Sequence, residues 1–180
     1  MRYRLLMASV GVTLALALGV AAAACGDDDT NGGANAPDAE AYYSDVDRIQ
    51  NALTEQVDAI GEQSEEAFGD PDKARNSLSA AKSAGESALE DLNALEAPAV
   101  AATAHSSLVG ASEEMVAAVE GMIADLQGVD AGPDFDDFIN SVLQTDTAYT
   151  LAAETMREAC ADMQDAADNS RVDIVFQCPI

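Results

Sequence analysis

His105 has the widest range of chemistry open to it, and it is the only histidine in the chain. Beside a glutamate it could ligate a metal. With the thioethers of Met115, Met122, Met156 or Met163 it could make a soft copper site, because soft sites favour sulfur. The competing explanation is a boundary histidine hydrogen-bonded near a helix end, with methionines at helical spacing filling the core. Residue types favour this second explanation, so no cofactor is expected and His105 stands only as a candidate ligand. Asp134-x-Asp136-Asp137 has the look of an acidic metal loop. It lacks the alternating ligands, central Gly and terminal Glu of a calcium-binding hand. Acidic residues in a first helical turn are explained by capping and the helix dipole. There is no CxxCH, HExxH, glycine-rich phosphate loop or GxSxG. One histidine is too few for the repeated Glu-x-x-His ligands of carboxylate-bridged bundles. The chain therefore reads as a non-enzyme.

The elements that would position these residues are helices. Tyr42, Val46, Ile49, Leu53, Val57, Ile60 and Ala67 fall three or four apart, which predicts an amphipathic helix over about 38–68. Gly69-Asp70-Pro71-Asp72 breaks the chain and restarts it, with Asp70 as cap and Pro71 at the first helical position. Ala74, Leu78, Ala81, Gly85, Ala88, Leu92 and Leu95 keep an unbroken heptad pattern in a second helix. Gly85 lowers helix propensity by about 1 kcal/mol against Ala, which suggests close approach to a neighbouring helix. After the turn at Glu96-Ala97-Pro98, a third helix runs to about Gln127. Val100, Ala104, Leu108, Ala111, Met115, Val119, Met122 and Leu126 form one stripe. Val109, Val116 and Ile123 form a second beside it, so this helix should pack against two neighbours. A fourth helix is expected from about Asp134 to Asn169. Phe135, Phe138, Val142, Thr145, Tyr149, Ala152, Met156, Cys160 and Met163 would share its face.

The last ten residues change character. Val172 to Phe176 is β-branched and apolar, and Cys178-Pro179 follows. An extended segment folding back along helix four after a reversal near Asn169-Ser170 would bring Cys178 to Cys160. A disulfide closing such a loop stabilises by about 3 kcal/mol.

The first 25 residues supply the address. Met1-Arg2-Tyr3-Arg4 is basic, Leu5 to Val20 is uncharged and apolar, and Ala21 to Ala24 are small. That is the tripartite pattern of a secretory signal. Ala22-Ala23-Ala24-Cys25 resembles the lipobox of bacterial lipoproteins, with Ala22 where that pattern usually has Leu. The resemblance implies cleavage before Cys25 and lipid on Cys25. Ala22-x-Ala24 also suits ordinary signal peptidase, and Leu5 to Ala24 is just long enough to span a bilayer uncleaved. Three cysteines favour lipidation: an exported chain with an odd count has one thiol to account for. If Cys25 carries lipid, Cys160 and Cys178 are free to pair, as export permits. Leu92 to Val109, LNALEAPAVAATAHSSLV, resembles a stretch of uncharacterised helical lipoproteins from actinobacteria and similar bacteria. Pro98 and His105 are the matching positions. It covers under a fifth of the processed chain and implies no known activity.

Charge bounds the partners. Losing residues 1–24 removes two arginines and no acidic residue, which leaves 156 residues with 6 basic and 33 acidic side chains, a formal charge of −27. Nucleic acid is excluded, because its binding requires phosphate neutralisation by Lys and Arg. Anionic headgroups repel such a surface, so membrane affinity must come from the lipid on Cys25. The charge favours a soluble monomer, and a basic or cationic protein is the partner it could attract. Gly26 to Pro37 has almost nothing to bury and reads as a tether with a span of roughly 20 Å.

Together these features predict a signal peptide over 1–24, a lipidated Cys25 and acidic tether over 25–37, and a domain over 38–180. The expected fold is all-α, an antiparallel up-down-up-down four-helix bundle with an extended C-terminal tail. The expected role is a non-enzymatic interaction or structural module on the outer face of the cytoplasmic membrane. The alternative is a cation- or metal-binding envelope protein using carboxylates and His105.

Overall fold

A computed structural model describes residues 38–64, 70–142 and 147–178. The leader, Cys25 and the tether expected before residue 38 lie outside the described residues. The protein is an all-α antiparallel four-helix bundle. Its arms are α1 (Ala39–Ser64), α2 (Pro71–Asn93), α3 (Ala102–Asp125) and α5 (Ala148–Asn169). A short α4 (Pro133–Val142) stands in the connection between α3 and α5.

The second arm starts as its residues dictate. Asp70 is extended, and its carboxylate accepts the N–H groups of Asp72 and Lys73 at 3.0 and 3.2 Å. Pro71 follows at the first helical position, where a missing N–H leaves nothing unsatisfied. At the same end Arg75 Nη1 donates to the Leu126 carbonyl at 2.7 Å, which ties the start of α2 to the end of α3. A guanidinium there also opposes the negative end of the α3 dipole.

The heptad on α2 is seated against α3. A Cβ placed on Gly85 would stand 3.0 Å from Val116 Cγ2, so the glycine allows the close approach expected of it. Alanine does the same elsewhere. Ala84, Ala88, Ala104, Ala111, Ala118, Ala152, Ala159 and Ala167 are all buried. Burying backbone-sized side chains brings helices close, and the larger Tyr43, Leu108, Met163 and Phe176 fill the middle.

Three expectations are corrected. The fourth helix does not run unbroken from Asp134 to Asn169, because a new helix begins at Ala148. Thr147 is extended there, and its Oγ1 accepts the Thr150 N–H at 3.2 Å. A hydroxyl that can cap a helix competes with continuing one. Tyr149 therefore leaves the expected stripe and is 38% exposed, whereas Phe135 upstream is buried. Val100 is 66% exposed instead of opening the α3 stripe. The turn after Pro98 places Ala101, not Val100, in the core, with the Ala101 N–H on the Pro98 carbonyl at 2.8 Å. Val57 is 45% exposed, so the α1 stripe is fully buried from Tyr42 to Ile49, half-buried at Leu53 and Ile60, and open at Val57.

The tail folds back as expected. At the end of α5 the Val172 N–H bonds the Ala167 carbonyl at 3.1 Å, and the Arg171 N–H bonds Asp168 at 3.0 Å. Arg171 stands at φ 58, which makes this a Schellman reversal with Arg in the left-handed position usually given to glycine. Val172 to Cys178 has no regular secondary structure and inserts alternate side chains. Phe176 is buried, Val172, Ile174 and Cys178 are half-buried, and Asp173, Val175 and Gln177 face out.

Candidate functional site

The start of α1, the start of α3, the end of α5 and the tail meet at one end of the bundle, where Tyr42, Tyr43 and Phe176 are buried together. Tyr42 and Tyr43 enter from α1 with rings edge-on, centroids 5.2 Å apart. Consecutive residues on a helix project about 100° apart, so the two rings serve different neighbours.

Tyr42 faces α3. Its hydroxyl is 2.9 Å from His105 Nδ1, and the ring centroids are 5.9 Å apart. Burial, reinforced by the neighbouring Tyr43 hydroxyl, pushes the Tyr42 phenol above its ordinary range, so it stays protonated. Burial pushes His105 below its ordinary value. At neutral pH a protonated phenol therefore meets a neutral imidazole, and the two share one hydrogen bond at Nδ1. Nδ1 is thereby engaged by a protein hydroxyl.

Tyr43 faces α5 and the tail. Its side chain is fully buried, with the Phe176 ring 6.4 Å away. The Ser170 hydroxyl donates to the Ala166 carbonyl at 2.7 Å, so Tyr43 O–H donates to Ser170 Oγ at 3.1 Å. Gln164 holds the tail from the other flank. Its Nε2 donates to the Ile174 carbonyl and to Asp168 Oδ1, and its Oε1 accepts the Phe176 N–H, each at 2.9 Å. One amide thus replaces the hydrogen bonds that a neighbouring strand would supply.

The sequence-predicted residues fall as follows. Cys160 and Cys178 are brought to disulfide distance, Cα to Cα 5.6 Å. Cys160 is fully buried and Cys178 half-buried. Cys25 lies outside the described residues. His105 is at the site, but its partner is Tyr42. Met163 is fully buried in the core and Met156 is packed against it. Among the described residues no three His, Cys, Asp or Glu side chains stand together in a way that could hold a metal. No described helix is long and apolar enough to cross a membrane.

Tyr43 and Gln164 were not singled out by sequence, and Ser170 only as the place where the chain reverses. Tyr43 lies off the spacing of its own helix, although two adjacent tyrosines opening an amphipathic helix signal a helix covered from two sides. Gln164 and Ser170 carry no pattern of their own. No protein-family profile matches the chain, and neither a curated protein nor a solved structure matches it.

Proposed function

We propose that the chain is an exported lipoprotein, held by lipid on Cys25 at the outer face of the cytoplasmic membrane, whose acidic bundle is a non-enzymatic interaction or structural module. The observation that supports it is the cysteine geometry. With Cys160 and Cys178 at bonding distance, Cys25 is the cysteine left over, and it follows an apolar, small-residue leader. The helices leave the acidic side chains outside, since no charged residue is buried among the described ones. Such a surface recruits a basic or cationic protein and repels nucleic acid and anionic lipid. The engaged Nδ1 of His105 favours a structural role for that residue over a ligand's.

Metabolic labelling with radioactive palmitate tests the anchor. Label enters the wild type and not Cys25→Ser, and equal labelling of both sinks the reading. Calorimetric titration of the protein with copper, zinc and calcium separates the interaction module from a metal-binding protein. Silence is expected, and a tight isotherm lost in His105→Gln would reverse the assignment.

A further inference from the structure

We infer that the segment Val172–Cys178 is a redox-locked strap over the Tyr43–Met163 face of the bundle, and that its seating controls access to the disulfide that locks it. Three independent observations support this.

First, the strap has little of its own to hold it. Phe176 is its one fully covered side chain, Val172, Ile174 and Cys178 are only half-buried against the core, and its hydrogen bonds to the bundle are the Val172 N–H on the Ala167 carbonyl and two to the Gln164 side chain. Its only internal backbone bonds are the tight turns Ile174 N–H to Val172 and Cys178 N–H to Phe176. The backbone groups of Asp173, Val175 and Gln177 have no hydrogen bond to another described element. Segments with few buried contacts and open backbone are the ones that detach locally while a fold persists. The hinge for detachment is Arg171, a non-glycine residue already in a left-handed conformation.

Second, the strap covers part of the core and not merely surface. Tyr43, Cys160, Met163 and Ala167 are fully buried, and all belong to the cluster that Phe176 completes. The tail bridges α1 and α5 through the Tyr43–Phe176 and Tyr43–Ser170 contacts.

Third, the two sulfurs differ in access. Cys178 is half-buried, while Cys160 has no exposed surface, so attack on the bond is directed to Cys178. A dithiol reductant would attack Cys178 Sγ with one thiolate. The S–S bond breaks, a mixed disulfide forms on Cys178, and Cys160 leaves as a thiolate and takes up a proton. The second thiol of the reductant then attacks the mixed disulfide, freeing the Cys178 thiol and leaving the reductant oxidised to its own disulfide. Two electrons and two protons reach the protein. In the seated strap, the first step must expel a thiolate into apolar surroundings, where the charged form is disfavoured. Reduction therefore waits for the strap to lift, and once both thiols form nothing covalent reseats it.

Hydrogen exchange on the full-length chain, oxidised and then reduced with dithiothreitol, tests this directly. Peptides covering 170–178 are expected to exchange about tenfold faster or more after reduction, while those in α2 and α3 change less than about twofold. Unchanged exchange in 170–178 would show that the strap seats without its bond. Equal acceleration in α2 and α3 would show that the bond holds the whole fold. Either result overturns the inference. With the disulfide intact, Gln164→Ala is expected to speed reduction by dithiothreitol several-fold, while the exchange of α2 and α3 stays as in the wild type. A reduction rate unchanged in Gln164→Ala, or one equal to the rate of global unfolding, contradicts gating by the strap.

Discussion

At Tyr43 a fully buried ring and a single hydroxyl do separable work. The ring fills the space between α1, α5 and the tail, so Tyr43→Ala is expected to lower the free energy of unfolding by about 3–5 kcal/mol. Tyr43→Phe removes only the bond to Ser170, whose hydroxyl keeps the Ala166 carbonyl, and is expected to cost about 1 kcal/mol. Urea denaturation of both variants measures the split, and equal losses would show that the hydroxyl does the work of the ring. His105 makes a different prediction. Its folded pKa lies below the ordinary value of 6.5, so the unfolded chain binds more protons as the pH falls past 6.5. The stability that His105 contributes is complete above that pH and is lost as the pH falls through the folded pKa. A protonated imidazole donates from both nitrogens, so the Tyr42 hydroxyl must then accept at Nδ1. Acidification meanwhile neutralises many carboxylates and relieves repulsion, so the quantity to follow is wild type minus His105→Asn. That difference in Tm is expected to fall between pH 7 and pH 5, and a flat difference would remove the desolvated imidazole from the account. None of this coupling was legible in the sequence, where His105 was a boundary residue without a visible partner. Tyr42 lies 63 positions away, and only its long side chain, reaching from α1 to the start of α3, joins them.

Among the elements, α2 and α3 show how far a repeat pattern reaches. The heptad on α2 located its buried face, and Gly85 within it foretold a close approach whose partner is Val116. Gly85→Ala therefore carries two opposed effects. Helix propensity gains about 1 kcal/mol, and the new methyl meets Val116 Cγ2. In a Val116→Ala background the contact disappears and Gly85→Ala is expected to stabilise by about 1 kcal/mol, against less than that, or a loss, in the wild type. A double-mutant cycle by thermal or chemical denaturation gives the coupling, and additive effects would place Val116 elsewhere. The same kind of pattern misled on the fourth helix. Spacing alone runs through Thr145 and Tyr149, because a periodic count is blind to a threonine whose hydroxyl satisfies a helix start. Val100 misled for a related reason. Its apolar side chain fits the α3 stripe in a continuous helix, but the turn after Pro98 delays the helix to Ala102 and rotates Val100 outward. The tail was legible as extended, folded back and joined to α5, since β-branched residues and a second cysteine mark it. The Gln164 clamp was not, because a single amide has no periodicity.

For the whole molecule the decisive quantity is charge. The chain carries 33 acidic side chains against 8 basic ones. The ion pairs of Arg48, Arg75 and Lys82 each lie within one helix, with Asp45, Asp72 and Glu86. Exposed pairs of that kind contribute little, so salt has little attraction to weaken and much repulsion to screen. The screening length drops from about 10 Å at 0.1 M to about 3 Å at 1 M. Tm is therefore expected to rise over that range of sodium chloride, and a fall would mean that attractive pairs dominate. The row of buried alanines builds the core from side chains small enough to let backbones meet.

The adjacent placement of Tyr42 and Tyr43 has an optical consequence. The chain has no tryptophan and four tyrosines, one of which, Tyr3, lies outside the described residues. Two of the remaining three form an edge-on pair at the strapped end, and the third, Tyr149, is partly open to solvent. Near-ultraviolet circular dichroism and tyrosine emission therefore watch that end almost alone, whereas the far-ultraviolet signal counts every helix. A melt followed by both should show the aromatic signal fading first if the strap lifts before the bundle opens. A unit that unfolds all at once would give superimposable curves.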